Sequence, residues 1–189
     1  MKRTLLFVLM LVVFLVVLGK GNGFAADRLM IVASANYFSP GDKDFKDFYG
    51  KGQFYPELKA GFKVSPKLYL WAGYGWFSAK ETTPVLNLEA KAKQQFLSAG
   101  LGLLLKISST FDYKVEAGLF FVSYKEEALG AEVSDSAIGL RLDNGVTFHM
   151  TRHLFVEFSI GFLTASDTID DITVKLGGLK AGIGLGVLF

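Results

Sequence analysis

The chain contains no cysteine. Disulfides, thiol nucleophiles and thiolate metal sites are therefore excluded. Histidine is scarce: His149 and His153 are the only two. Beyond the first 25 residues no apolar run reaches the ~20 residues of a membrane-spanning helix. Phosphate loops, metal-ligand clusters and nucleotide fingerprints are missing as well. The glycine-rich end of the chain is not such a fingerprint, since no helix follows it. Beyond its hairpins the sequence shows no internal repeat, and no low-complexity tract. It reads as one domain, and no cofactor or metal is expected.

What is present is apolar character without long runs. Residues of hydrophobic type make up 51% of the chain, and 18 are Phe. Spread over short alternating segments, that content favours a barrel of strands over a bundle of helices.

Residues 1–25 read as a secretory signal. Lys2 and Arg3 form a positive start, Thr4 to Gly19 an apolar run, and Gly23-Phe24-Ala25 a small-residue cleavage site. Cleavage is expected after Ala25, with a barrel domain over 26–189. Removing the signal takes away Lys2, Arg3 and Lys20 and no acid. The remaining 17 basic and 18 acidic residues give a formal net charge of −1. The basic balance of the whole chain is thus partly a signal effect, and nucleic-acid binding is not expected.

The final stretch organises the reading. Leu179, Ala181, Ile183, Leu185, Val187 and Phe189 alternate with Gly178, Lys180, Gly182, Gly184 and Gly186, with Leu188 the exception. Alternate side chains of a strand point to opposite faces. One face is apolar, the other mostly glycine. A membrane barrel turns the apolar face to lipid and the small and charged one to the lumen, where glycine leaves room for larger side chains from across the barrel.

Seven further segments show the same period: about 29–38, 53–64, 68–78, 94–107, 113–124, 137–149 and 154–163. Pro56 interrupts the second, which suits a strand end or a bulge. In the third, glycine is placed inward, which puts Tyr69, Trp71 and Phe77 inward too. In the sixth, Asn144 falls on the apolar face and suggests a bulge. Tight turns are expected at Ser65–Lys67, Ser108–Phe111 and Met150–His153. Longer links are expected at about 39–52, 79–93, 125–136 and 164–174. Together these features predict an all-β, eight-stranded antiparallel transmembrane barrel, with short turns on the periplasmic side. A soluble lipocalin-like barrel would need the opposite orientation of its faces.

The inward charges are Glu57, Lys59, Lys63, Lys106, Lys114, Glu116, Arg141, Asp143, Glu157 and Lys180. Both signs occur in similar number, and the interior of an eight-stranded barrel is just wide enough for side chains to fill it. Buried charges need partners. The first expectation is a salt-bridge network that plugs the lumen; the alternative is a narrow channel for small solutes. Outward aromatics at both ends, Tyr37, Phe54, Tyr74, Trp76, Phe121 and Phe162 at one and Phe62, Tyr113, Phe148 and Phe189 at the other, read as interfacial girdles. Acidic residues of the third and fourth long links read as solvated, with divalent-cation binding the lesser alternative.

The terminal pattern Ile183, Leu185, Val187, Phe189 resembles the C-terminal signature of bacterial outer-membrane proteins. That resemblance implies reading by the barrel-assembly machinery. From Leu29 to Phe189 the chain resembles the small eight-stranded outer-membrane barrels of the OmpA-membrane-domain and OmpX-like group. This implies residence in the bacterial outer membrane, contact with its lipid and lipopolysaccharide, a monomeric state, and a structural or surface-interaction role with a partner met through the long loops. No functional motif of that group maps onto this chain. Some barrels of this size edit lipid A with a Ser, a His and an acid near the outer leaflet. Here both histidines lie at the short turn between the sixth and seventh segments, so enzymatic activity is not expected.

Overall fold

The structure is a computed structural model, and it describes residues 28–43, 46–47, 52–82, 89–128, 131–169 and 172–189. The expected signal segment and cleavage site lie outside the described residues. Among the described residues ten strands are formed. They are β1 (Leu29–Pro40), β2 (Gln53–Lys63), β3 (Leu68–Thr82), β4 (Glu89–Lys106), β5 (Phe111–Ala128), β6 (Ala131–His149), β7 (Leu154–Thr164), β8 (Ser166–Ile169), β9 (Ile172–Lys175) and β10 (Gly178–Leu188). Eight of them close an antiparallel barrel in the order β1-β10-β7-β6-β5-β4-β3-β2, and β8 pairs with β9 as a separate hairpin.

Alternation decides which face turns in. On β10 the buried residues are Gly178, Lys180, Gly184, Gly186 and Leu188, while Leu179, Ile183 and Leu185 are exposed. On β3, Tyr69, Trp71 and Phe77 are buried, and Leu70 and Trp76 are about half exposed, at 48% and 47%. Glycine was thus a correct guide to parity on a strand with aromatics on both faces. Leu101, Leu103, Leu119, Ile138, Leu140, Phe158, Ile160 and Phe162 continue the outward apolar belt.

The seam joins the first strand to the last. Met30 faces Leu188, and pairing runs to Pro40 opposite Gly178. Beyond it, Leu29 N–H donates to the Phe189 carbonyl at 3.1 Å and Phe189 N–H donates to the Leu29 carbonyl at 2.8 Å. Closure satisfies the backbone groups of strands that would otherwise be sheet edges.

The three short turns share one construction. Ser65, Ser108 and Thr151 each accept, through the side-chain hydroxyl, the N–H three residues on, from Leu68, Phe111 and Leu154 at 3.0, 3.1 and 3.0 Å. The carbonyls of Leu68, Phe111 and Leu154 accept two N–H groups each from the start of the turn. The three hydroxyl residues recur every 43 positions, a periodicity that direct reading of the sequence overlooked.

Four expectations are corrected. Asn144 marks no bulge: the β5–β6 register is unbroken from Phe111 opposite Phe148 to Ala128 opposite Ala131. Its oxygen instead accepts the Tyr113 hydroxyl at 2.9 Å. Pro56 lies within β2, opposite Ala35, but one residue beyond the β2–β3 ladder, which ends at Glu57 opposite Gly75. The lack of an N–H is thus tolerated where the pairing of β2 with β3 has ended. The expected link at 125–136 is mostly strand, as is much of 79–93; β3 to β6 have 15, 18, 18 and 19 residues. The link at 164–174 carries the β8–β9 hairpin.

Candidate functional site

The chemistry of the chain is concentrated in the lumen. Eight of the ten charges assigned to it come together as two rings, each of two cations and two anions. In the ring nearer the long-loop end, Arg141 Nη1 donates to Glu57, and Nη2 donates to the other Glu57 oxygen at 3.2 Å. Arg141 Nε donates to Asp143 at 2.5 Å. Lys180 Nζ then closes the circuit, 3.1 Å from Asp143 and 3.2 Å from Glu57. Ser98 accepts from Arg141 at 3.1 Å, and the Trp71 ring lies 4.9 Å from the guanidinium carbon. A flat, weakly hydrated guanidinium suits both contacts.

The second ring lies one step toward the short turns. Lys59 Nζ is 2.9 Å from Glu116 and 3.1 Å from Glu157. Lys114 Nζ is 3.2 Å from Glu116 and 2.5 Å from Glu157. The Tyr69 hydroxyl donates to Glu116 at 2.6 Å. Glu116 and Asp143 are direct cross-strand partners, so the rings abut. All eight charged residues are buried. Low-dielectric surroundings penalise each lone charge heavily, and the alternation of opposite charges around each ring offsets that penalty.

Strand alternation explains the assembly. Glu57 and Lys59 are two apart on β2, Lys114 and Glu116 on β5, Arg141 and Asp143 on β6. Each pair therefore points inward on successive levels. Inward glycines make the space. A methyl built on Gly161 would overlap the Asp143 carboxylate, and one on Gly182 would overlap the Asn36 amide. The displaced groups belong to adjacent strands, not to the far wall as the sequence reading had it.

Lys63 and Lys106 stand apart from the rings. Lys63 is half-buried and lines a cavity below them. Lys106 departs from expectation: it is exposed at the end of β4, opposite Asp112. Parity aims it inward, but the strand ends there and the ammonium stays in water.

Two apolar layers flank the rings. Toward the long loops, Phe38, Tyr55, Phe77, Phe96 and Phe120 pack together with Val122 and Leu163. Phe96 lies 5.4–5.8 Å, centroid to centroid, from Phe38, Tyr55, Phe77 and Phe120. Ala165 and Leu176, which bracket the β8–β9 hairpin, belong to the same cluster, and the Tyr124 hydroxyl donates to Asp167 of β8 at 2.9 Å. This layer was missed because inward aromatics look like outward ones in a sequence. Its signal was the parity of Phe38, Tyr55, Phe96 and Phe120 with known inward positions. Toward the short turns, Val32, Phe155 and Leu188 form a smaller cluster with Met30 against it. Between it and the second ring lies a small cavity, lined in part by Lys114, Glu157, Thr147 and His149.

His149 Nε2 lies 2.9 Å from Asp112, and His153 Nδ1 lies 3.0 Å from the Leu188 carbonyl. Both are at the short-turn end. Ser159 is opposite Gly145 and Gly182 in the ladders, and no hydrogen bond to either histidine is formed from it among the contacts described.

No family model matches the chain, and no curated protein matches it. Solved structures do. Neisserial surface protein A aligns over 87% of this chain and 99% of its own, at 16% identity and a TM-score of 0.66. The N-terminal β-barrel domain of Pseudomonas aeruginosa OprF aligns over 87% and 98%, at 13% identity and 0.55. Ail, the attachment invasion locus protein of Yersinia pestis, aligns over 85% and 97%, at 16% identity and 0.52. The chain has the fold of the small eight-stranded outer-membrane β-barrels.

Proposed function

We propose that this protein is a monomeric outer-membrane barrel with a structural or surface-interaction role, and that its lumen is plugged. The observation that carries this reading is the pair of closed ion rings under an aromatic layer. A permeating ion or solute has to open at least one ring and displace Phe96 and its neighbours. Opening a ring separates buried charges, which costs several kcal/mol per ion. A channel reading has less support, because its water column would have to cross both layers.

Residence in the outer membrane is supported by the apolar belt, which covers the outward face of every barrel strand. Hydrocarbon is the solvent that such a surface requires. The terminal pattern Ile183, Leu185, Val187, Phe189 supports delivery by the barrel-assembly machinery, and its last residue sits in the closing seam. A surface role is favoured by the unequal wall. Strands of 11 or 12 residues in β1, β2, β7 and β10 match the ~9–11 needed to cross a bilayer. The taller β3 to β6 project past that length on the long-loop side, as a platform for a partner. The neighbouring fold named as an attachment protein is in keeping with such a use.

The test is solute flux. Mature protein is refolded into liposomes, with heat-shifted gel mobility reporting folding. Liposomes holding folded protein are expected to stay unswollen in isotonic arabinose. Swelling at the rate of a general porin would overturn the plugged lumen.

A further inference from the structure

The second ring leaves one of its carboxylates half used. Lys59 and Lys114 both approach Glu157 through the same oxygen, Oε1, at 3.1 and 2.5 Å. The other oxygen, Oε2, accepts no hydrogen bond among the described residues. Thr147 is the direct cross-strand partner of Glu157. It is 4% exposed, and its hydroxyl likewise has no partner among the described residues. A buried polar group without a hydrogen bond costs free energy. Side-chain oxygens of Asn36, Gln94 and Asp143 also lack a hydrogen bond, and these are fully enclosed. Glu157 and Thr147 differ from them. Both line the small cavity under the second ring, and their oxygens are not sealed.

We propose that this cavity is a binding site for water drawn from the periplasmic side, so that the lumen is an aqueous vestibule with one open end. The inference rests on the plugged lumen proposed above. The cavity has room for a water molecule and little more. A water there meets an acceptor in Glu157 Oε2 and a donor or acceptor in the Thr147 hydroxyl. It meets a donor in the remaining Nζ proton of Lys114, whose other two face Glu116 and Glu157. About three such partners are typical of a buried water. The ring selects a neutral occupant. Lys59 and Lys114 beside Glu157 repel a cation, and Glu116 with Glu157 repels an anion. Access is from below. Lys63, Asp112 and His149 line the same cavity and are partly exposed at the short-turn end. On the other side Lys114 and Glu116 are each 1% exposed, and the first ring and the aromatic layer follow. The second ring is thereby solvated from the periplasm, and the first ring from neither end.

The chain has no cysteine, so a single introduced thiol reports its own surroundings. The mature chain carrying Thr147→Cys is refolded into liposomes, with heat-shifted mobility as the folding control. Ser109→Cys in a short turn and Ser134→Cys on upper β6, both at exposed positions, establish which end faces the medium. The probe is the silver ion, which is small enough to follow water and binds a thiol. Silver is added outside the vesicles or trapped inside them. Free silver is then quenched, the protein unfolded, and the remaining thiol counted with a maleimide polymer. Silver at the short-turn end is expected to abolish maleimide labelling of the Thr147→Cys protein. Silver at the long-loop end is expected to leave that labelling intact. Labelling that survives silver from both ends overturns the vestibule and leaves the plugged lumen standing. Labelling lost to silver from either end overturns the plug, and the single open end with it, because ions then cross both rings. Leu104→Cys lines the same cavity from β4 and is expected to give the same pattern, so the test survives a Thr147 variant that fails to fold.

Discussion

The Asp143 carboxylate lies over Gly161, its cross-strand partner on β7, in the space a side chain there would fill. Lys180 approaches the same spot from β10, and both belong to the ring that Glu57 and Arg141 complete. The missing Cβ of one residue thus makes room for a charge on the next strand. Replacing Gly161 with Ala forces that carboxylate off Arg141 and Lys180. The expected cost is about 1–3 kcal/mol, the range for overpacking a dense interior, read as a lower urea midpoint of the refolded barrel. An unchanged midpoint would show that the ring yields without loss.

The rings are neutral only as wholes. Arg141→Met alone leaves Glu57 and Asp143 with one cation between them, and a loss of about 3–5 kcal/mol is expected for an uncompensated buried charge. Glu57→Gln added to it leaves Asp143 with Lys180, a balanced pair. The double variant is therefore expected to be more stable than the sum of the two single losses by about 1–3 kcal/mol, a coupling typical of residues in one network. Strict additivity in urea titrations would contradict the ring.

The seam makes a separate prediction. Phe189 exchanges two backbone hydrogen bonds with Leu29. Deleting Phe189 removes both and ends the chain at Leu188, so closure slows. The account expects reduced folded yield in vivo and slower acquisition of heat-shifted mobility in vitro. Phe189→Tyr keeps the backbone bonds and the aromatic, and is expected to behave like the parent. If the deletion folds at the parent rate, the seam does not depend on this residue.

Much of the barrel was legible because one residue type marks one face. Glycine fixed the inward side of β10 and β3, and the charges fell into parity with it. Two things were hidden. Phe38, Tyr55, Phe96 and Phe120 line the interior, yet an aromatic is as much at home against lipid, so its chemistry does not report its side. The upper parts of β5 and β6 read as a loop because their outward residues, Lys125, Ser134 and Ser136, are polar above the belt. Backbone pairing continues past the level where side chains stop announcing it. Lys106 failed for the converse reason: parity was right, but the strand ended before the side chain reached a partner.

Asn144 and Tyr113 give a fourth prediction. They face outward and hydrogen-bond each other at 2.9 Å. Asn144→Val alone strips the phenol of its acceptor, and a loss of about 1–2 kcal/mol in lipid is expected for a polar group left unpaired. Asn144→Val with Tyr113→Phe removes both polar groups and is expected to recover most of that loss. Equal unfolding midpoints for single and double variants would contradict the pairing.

The plugged lumen is tested most directly by single-channel recording of the refolded mature protein in planar bilayers, beside the same preparation of Arg141→Met. The account predicts that the folded parent inserts and remains electrically silent, and that any conductance steps appear only after the Arg141 ring is broken. Discrete, reproducible steps from the intact parent, with heat-shifted mobility proving the protein folded, would contradict it.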